Sequence, residues 1–183
     1  HEDFTGQYSR FWNAFKNAGW YIEDVRMQEE TARRNGFQKV SQMKLAVAKN
    51  IRNFVAGGGF MFAMCAGTET FDIALAANGV DICERMFDGD GIDPQAQSKM
   101  DFSQTFAFQN FKVDLNPFGY AFSNIDTTPI RQVDRSNDFF TLFDFSAKWD
   151  VVPTMLTQNH DKVIKGFMGK TTAFLKTLIK PDA

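Results

Sequence analysis

The chain has 183 residues, of which 44% are hydrophobic and 23% charged, the balance of an ordinary globular protein rather than a disordered one. Its formal net charge is −2, from 20 basic and 22 acidic residues, and this lack of a basic excess argues against a nucleic-acid partner. No apolar run approaches the ~20 residues of a membrane-spanning helix, so we expect no transmembrane segment. Two cysteines are too few for a disulfide framework.

The first part of the chain predicts a helix. Between Tyr8 and Phe15, aromatic residues recur at i, i+3, i+4 and i+7, which places them on one helical face. Thr5 is the candidate N-cap of this helix, and Gly19 is its candidate C-terminal stop. The charged stretch 21–34 reads as an exposed connection, partly helical.

The next segment predicts a helix, a strand and a second helix. An apolar stripe over residues 40–55 predicts the first helix, which three consecutive glycines, 57–59, would end. The compact apolar run 60–65 suits a strand covered on both faces. Residues 68–77 predict a short helix closed by a second turn. This order is typical of a parallel α/β sheet.

After residue 79 the pattern changes to short apolar-polar alternations and turns. Pro117 and Pro129 interrupt the stretch 102–145, which we predict to consist of strands and loops without a long helix. We therefore predict a single domain over residues 1–183, with a probable β-rich insertion at 80–145. The few parallel strands that can be counted predict that further strands lie outside this sequence.

Cys65 stands at the predicted turn from the strand to the second helix. The small residues Ala63, Ala66 and Gly67 let such a turn close tightly. The free N–H groups at the start of the following helix would favour ionisation of the thiol and stabilise an oxyanion. This is the geometry of a nucleophile elbow, with cysteine in place of serine. The alternative is a small buried core residue, the role we assign to Cys83.

The segment FVAGGGFMFAMCAGTETFDIALA resembles the elbow of the class I glutamine amidotransferase superfamily, and it is most similar to the ThuA-like and biotin-ligase N-terminal groups. The whole chain, from HEDFTGQY through SQMKLAVAKNIRNFVAGGGF to PTMLTQNHDKVIKGFMG, resembles an exported family labelled asparagine synthetase B. The resemblance implies a flavodoxin-like α/β fold and a periplasmic or secreted location. It also implies amide hydrolysis or acyl transfer through a thioester on Cys65.

Two features depart from the pattern of working amidotransferases. Their elbow reads Gly-x-Cys-x-Gly, and this chain has Ala63 at the first position. Their downstream His-x-Glu pair is absent, because His160 is followed by Asp161 and Lys162. The general base would then be His1 or a histidine outside this sequence.

Further candidate residues surround the predicted elbow. His1, Glu2 and Asp3 precede the first helix, where sites collect in α/β sheets; the alternative is a terminal polar loop in which Asp3 helps to cap the helix. Glu69 would contact a bound amine or amide, or would only complement the helix dipole. The remaining binding candidates are Gly58, Gly59, Ala66 and Gly67.

The acidic stretch DGDGID has the appearance of a calcium loop. Asp88, Asp90 and Asp93 provide carboxylates, but Ile92 and Lys99 occupy positions where an EF-hand needs ligands. We therefore interpret the stretch as a solvated turn. We predict neither a metal nor a cofactor.

Other function classes stay open beside the amidotransferase-like enzyme. Without the His-x-Glu pair, the chain could be an inactive binding or assembly module of an exported complex, with partners in the rest of its own chain, a homo-oligomer or another protein. A carbohydrate-related role rests on kinship with ThuA-like proteins, and fold-level analogy is a poor guide to function.

Overall fold

The computed structural model of the protein describes residues 3–7, 9–116, 118, 121–127, 139–141, 163–165 and 174–183. Two compact units make up the chain: Ile130–Gly169 forms the smaller one, and the segments on either side of it form the larger one. In the smaller unit, β1 (Phe139–Thr141) and β2 (Val163–Lys165) pair as antiparallel strands.

The larger unit holds the α-helices of the described residues. They are α1 (Ser9–Phe15), α2 (Gly19–Arg34), α3 (Val40–Ala56), α4 (Gly67–Ala76), α5 (Arg85–Asp88) and α6 (Ala96–Lys99). Phe102–Gln104 and Lys176–Leu178 form 3₁₀ turns. The helices predicted at 40–55 and 68–77 are confirmed, with ends that differ by at most one residue. The first predicted helix is present as α1, but it begins four residues after its predicted N-cap Thr5 and ends four residues before its predicted stop Gly19.

The stretch 21–34, predicted to be an exposed connection, is part of a complete helix. α2 begins at Gly19, the residue predicted to end α1, and runs for 16 residues. Its exposed face carries charge pairs at helical spacing, such as Arg26 with Glu30 at 3.0 Å. A pair of this kind contributes only about 0.2–0.5 kcal/mol, so packing of the inward face, where Ala32 is 1% exposed, matters more.

The predicted α/β fold with a flavodoxin-like parallel sheet is wrong. The described residues contain no parallel strands, and helices dominate the larger unit. Residues 60–64, where the apolar run predicts a strand, form neither a strand nor a helix and pair with no strand among the described residues, and alternate side chains are exposed. Composition predicts an extended conformation; it does not reveal whether a neighbouring strand exists.

The region 80–145, predicted to be a β-rich insertion, is described over 80–127 except for 117, 119 and 120, and again over 139–141, where β1 lies as the prediction requires. The part up to residue 127 holds α5, α6, a 3₁₀ turn and isolated bridges, such as Val113 with Ser123, instead of strands. Polar side chains here bond to nearby backbone, which competes with strand pairing. The strand predicted at 151–157 lies outside the described residues.

α4 is the centre of the core of the larger unit. All its residues except Thr68 are buried. On one side Ile73 packs with Phe111, and on the other Phe71 packs with Ala48 of α3. Burying an Ile or Phe side chain contributes about 1.5–3 kcal/mol. The helix that follows Cys65 is therefore firmly held.

A carboxylate on α4 anchors the loop after the first 3₁₀ turn. Asp72 is 2% exposed, and its oxygens accept the backbone N–H groups of Phe106, Ala107 and Phe108, each at 2.8 Å. Burial raises the pKa of Asp72, and the three amide donors offset only part of that rise. This contact fixes the loop against the middle of α4.

In the part of the chain that the structure describes, no helix combines the length and the apolar character that crossing a membrane requires.

Candidate functional site around Cys65

Cys65 occupies a turn between residues 60–64 and α4. Its φ is +54°, a left-handed conformation that costs a residue with a Cβ roughly 1–2 kcal/mol. α4 begins two residues later, at Gly67. The thiol side chain is partly exposed. The predicted turn into a helix is present, although the segment before it is not a buried strand.

Two backbone N–H groups that follow Cys65 form hydrogen bonds within the turn itself. The Gly67 N–H donates to the Met64 carbonyl at 3.1 Å, and the Thr68 N–H donates to the Cys65 carbonyl at 3.2 Å. The Ala66 N–H makes no hydrogen bond within the described part of the chain. Of the two residues predicted to bind through this turn, Ala66 is therefore the one whose amide is open to a ligand.

Hydrogen bonds tie the beginning of the chain to the first turns of α4. The Phe4 N–H donates to Oγ1 of Thr70 at 3.3 Å, and this hydroxyl donates to the Ala66 carbonyl at 2.8 Å. The backbone carbonyl of Asp3, the preceding residue, accepts from Nζ of Lys44 at 2.5 Å. The structure thus brings the Asp3 segment to the helix that follows Cys65.

The side chain of Asp3 forms a local turn instead of capping α1. Its Oδ1 accepts the N–H of Thr5 at 2.8 Å and the Thr5 hydroxyl at 2.6 Å. Thr5, predicted to be the N-cap, is buried and its own Oγ1 accepts the Gln7 N–H at 3.1 Å. Three other predicted groups lie outside the described residues: His1, Glu2 and His160.

Glu69, in the first turn of α4, is buried and paired. It is 0% exposed, and the Ser123 hydroxyl donates to its Oε2 at 2.6 Å. A buried carboxylate needs such a donor to offset its lost hydration. Because Glu69 lies near the N-terminus of α4, its negative charge interacts favourably with the helix dipole. The predicted contact of Glu69 with a bound amine stays a prediction.

Gly58 and Gly59, predicted to contribute to binding, end α3. Gly58 has a φ of +96°, and its N–H donates to the Val55 carbonyl at 2.9 Å. The Gly59 N–H donates to the Phe54 carbonyl at 2.9 Å, which completes a Schellman motif. A Cβ at Gly59 would overlap the Phe54 ring. Both glycines therefore have a structural reason to be present.

Four charged groups meet at the N-terminal end of α3. Nζ of Lys39 lies 2.8 Å from Asp81 and 3.2 Å from Asp88, and it also contacts Asp90. Burial lowers the pKa of Lys39, but the hydrogen bonds to the three carboxylates outweigh this and the net change is upward. Burial raises the pKa of Asp88, whose side chain is 3% exposed, and Lys39 opposes that rise.

Cys83 beside this cluster is a structural thiol. It is 1% exposed, and its Sγ donates to the Thr5 carbonyl at 3.2 Å. Burial, aided by the Asp88 carboxylate, raises the pKa of the Cys83 thiol well above its usual range. Sγ and oxygens of Asp81 and Asp88 lie within 4.8 Å of one another. Lys39 is the cation that these carboxylates contact in the structure, so we describe the arrangement as an ion-pair cluster.

The remaining acid of the DGDGID stretch also has a local partner. Asp93 lies 2.6 Å from Nζ of Lys99, and its Oδ1 accepts the Gln95 N–H at 2.8 Å. Asp88 and Asp90 therefore share Lys39, and Asp93 pairs with Lys99.

A cavity of about 250 Å³ opens beside the Lys39 cluster. Ser41 and Leu45 of α3 line one side, and Val80 and Cys83 line the other. Cys65 is not among its lining residues, so the cavity gives no support to a ligand at the predicted elbow.

The sequence analysis did not identify the contacts between residues that lie far apart along the chain. Thr70 links α4 to Phe4, and Lys39 gathers three acids that follow it by more than forty positions. One of these contacts had a local signal in the sequence. Asp72 is an acid within an apolar helical run, a pattern that indicates a buried carboxylate with hydrogen-bond partners.

Comparison with known proteins identifies no further residues of the site. No protein-family profile, no curated protein and no solved structure matches this chain.

Proposed function

We propose that Cys65 is the nucleophile of an amide-hydrolysing or acyl-transferring site of the class I glutamine amidotransferase type. The observation that carries the proposal is the backbone at Cys65, with φ at +54°, two residues before the start of α4. In a nucleophile elbow, a strained turn of this kind presents the nucleophile at the N-terminal end of a helix. The resemblance of the segment to amidotransferase elbows supports the same reading.

The chemistry is an acyl transfer in two steps. The Cys65 sulfur attacks the carbonyl carbon of an amide, the C–N bond breaks, and ammonia leaves after taking up a proton. Water then hydrolyses the thioester, which releases the acid and restores the thiol. The open N–H of Ala66 is the donor that we assign to the oxyanion.

A general base is also required, and we assign this role to His1. The support is indirect: Phe4, three residues after His1, is hydrogen-bonded to Thr70 of α4. The downstream His-x-Glu pair of the working enzymes is absent from residues 1–183, and a histidine outside this sequence is the alternative base.

Competitive alkylation of the two cysteines tests the nucleophile. At neutral pH, iodoacetamide should modify Cys65 at least about tenfold faster than Cys83, because the Cys83 thiol is buried and stays protonated. Peptide mapping by mass spectrometry assigns each site. Cys65→Ser should remove the fast label, and Cys83→Ser is the matched control that should retain it.

Labelling by an electrophilic glutamine analogue separates an active site from a merely accessible thiol. Wild type should be modified at Cys65, and His1→Ala should slow that reaction without slowing iodoacetamide. Alkylation by iodoacetamide together with inertness towards the glutamine analogue would refute the proposed enzyme. An exported location belongs to the same proposal through the family resemblance, and fractionation of producing cells tests it.

A binding or assembly module is the second candidate function. The exposed apolar side chains Phe60, Phe62 and Met64 favour it, since such groups at the surface mark interaction sites. This candidate predicts a folded protein in which neither electrophile modifies Cys65 faster than a free thiol.

A further inference from the structure

A thiol and two carboxylates face one another within the ion-pair cluster beside the cavity. Sγ of Cys83 and one oxygen each of Asp81 and Asp88 all lie within 4.8 Å of one another. Around a single Zn²⁺ ion, bonds of about 2.3 Å to sulfur and about 2.0–2.2 Å to oxygen place the ligand atoms roughly 3–4 Å apart. Side-chain shifts of about 1 Å therefore bring all three atoms to one ion.

Asp88 lacks a partner that a buried carboxylate needs. Its side chain is only 3% exposed, and its Oδ1 has no hydrogen-bond donor among the residues that the structure describes. The ammonium of Lys39 lies 3.2 Å from the other oxygen, Oδ2. A buried polar atom without a partner destabilises the folded state. A cation bound to Asp88 would remove that cost.

The cluster also carries more negative charge than Lys39 neutralises. One ammonium faces the carboxylates of Asp81, Asp88 and Asp90, which leaves two negative charges when all three are ionised. Burial raises the pKa of Asp88 and Lys39 lowers it, and the carboxylates of Asp81 and Asp90 add to the rise. Crowded like charges have this effect on a carboxyl group. A divalent cation is the ligand that such an excess attracts.

The donor atoms favour zinc over the other common divalent cations. Mg²⁺ and Ca²⁺ bind through oxygen ligands, whereas Zn²⁺ is bound by cysteine thiolate and by carboxylate. Three protein ligands leave one tetrahedral position for water, as in zinc sites that keep an open position. Asp81 and Cys83 both line the cavity of about 250 Å³, so the cavity provides access for the ion and for that water.

Lys39 can move away from these ligands and still keep a partner. Its Nζ also contacts Asp90, whose side chain is 60% exposed and which is not one of the three ligand residues. The lysine ammonium is a point charge on a flexible stem. It can therefore turn towards Asp90 when a metal ion binds Asp81 and Asp88, and zinc competes with Lys39 for the two carboxylates.

We propose that Asp81, Cys83 and Asp88 form a Zn²⁺ site that opens towards the cavity, and that Lys39 takes the place of the cation when no metal is bound. As zinc binds, the S–H bond of Cys83 breaks, its proton passes to water and the sulfur bonds to the metal, without any change of oxidation state. The hydrogen bond from Sγ to the Thr5 carbonyl is lost in that step. The site does not depend on the chemistry proposed for Cys65.

Cobalt spectroscopy on the full chain tests the sulfur ligand. A thiolate bound to Co²⁺ absorbs in the near ultraviolet by charge transfer, and Zn²⁺ displaces Co²⁺ from sites that both metals fit. In a Cys65→Ser background, Co²⁺ should produce this band and an equimolar amount of Zn²⁺ should remove it. Adding Cys83→Ser should abolish the band and raise the dissociation constant for Zn²⁺ at least about tenfold, the minimum loss seen when a metal ligand loses its supporting partner.

Two acid variants distinguish a ligand from a neighbouring charge. Asp88→Asn keeps the size of the side chain and should weaken Zn²⁺ binding at least about tenfold, measured by competition with a chromophoric chelator. Asp93→Asn is the matched control, because Asp93 belongs to the same acidic stretch but pairs with Lys99. This variant should bind Zn²⁺ as wild type does, and circular dichroism checks the folding of each variant.

Lys39→Met tests the competition without removing a ligand. Zn²⁺ should bind this variant at least about tenfold more tightly than wild type, because no ammonium has to leave the carboxylates. Zn²⁺ should also raise the unfolding temperature of Lys39→Met more than that of wild type, since it returns a cation to Asp88. An ion-pair cluster that binds no metal would lose stability on this substitution and would not regain it with Zn²⁺.

Each remaining result counts against the zinc site. The absence of saturable Zn²⁺ and Co²⁺ binding, or cobalt binding without the thiolate band, overturns it. So does equal weakening by Asp88→Asn and Asp93→Asn, because the acids would then act only through their charge. If Lys39→Met binds Zn²⁺ no more tightly than wild type, Lys39 does not compete for these carboxylates.

Discussion

The left-handed turn at Cys65 predicts an unusual order of stability among its variants. Cys65→Gly and Cys65→Ala both remove the thiol, so the difference between them reports on the Cβ alone. At a φ of +54°, a Cβ costs roughly 1–2 kcal/mol, whereas glycine loses about 0.5–1 kcal/mol through its more flexible unfolded chain. The glycine variant should therefore be the more stable by about 1 kcal/mol, or about 2–4 °C in Tm for a chain of this size.

Urea unfolding followed by far-UV circular dichroism measures this difference. Asn50 is the control, because it is exposed within α3, where the order should reverse and glycine should be the less stable by about 1 kcal/mol. The opposite signs at the two positions are the expected result. If alanine at position 65 equals or exceeds glycine, the turn is not left-handed in solution and the elbow argument fails with it.

Three further predictions concern buried polar groups. Above pH ~8.5, stability should fall by up to about 1.4 kcal/mol per pH unit, because the unfolded Cys83 thiol loses its proton while the folded one, with its raised pKa, retains it; a Cys83→Ala variant with the same slope in urea titrations would contradict this. Asp72→Ala should cost roughly 3 kcal/mol by removing the acceptor of three N–H donors, of which the Phe108 donor is buried and the other two are partly buried. Asp72→Asn should cost less; a loss below ~1 kcal/mol in urea unfolding would contradict this. Lys39→Met should cost about 3–5 kcal/mol at pH 7 by leaving buried Asp88 unpaired, and thermal unfolding at acid pH, where Asp88 is protonated, should recover part of that loss.

The sequence predicts local features of this protein well and long-range pairing poorly. α3 and α4 were identified because apolar periodicity and terminal glycines are local signals. Gly58 and Gly59 end α3 by donating their N–H groups to carbonyls three and five positions earlier, respectively. The turn at Cys65 was identified for the same reason. The predicted sheet failed because a strand requires a neighbour, and nothing in residues 60–64 specifies whether one is present.

In the candidate site, too, the sequence predicts the local features and not the long-range contacts. The elbow cysteine and its following helix could be located from the order of residue types. The bond from Phe4 to Thr70 joins residues 66 positions apart, and the cluster around Lys39 joins residues 42 and 51 positions apart. Contacts at such separations depend on the completed packing around α4, so no local sequence pattern predicts them.

The left-handed cysteine and the exposed apolar residues before it are adjacent, yet they are separate features. A left-handed Cys65 is costly where glycine would be easy, and the buried face of α4 fixes that turn from the other side. Phe62, three positions before Cys65, is 76% exposed, so its side chain takes little part in holding the turn. Phe62→Ser should therefore leave the rate at which iodoacetamide modifies Cys65 unchanged, whereas Cys65→Ser should abolish that modification. A Phe62→Ser variant in which Cys65 reacts several-fold more slowly would contradict this separation.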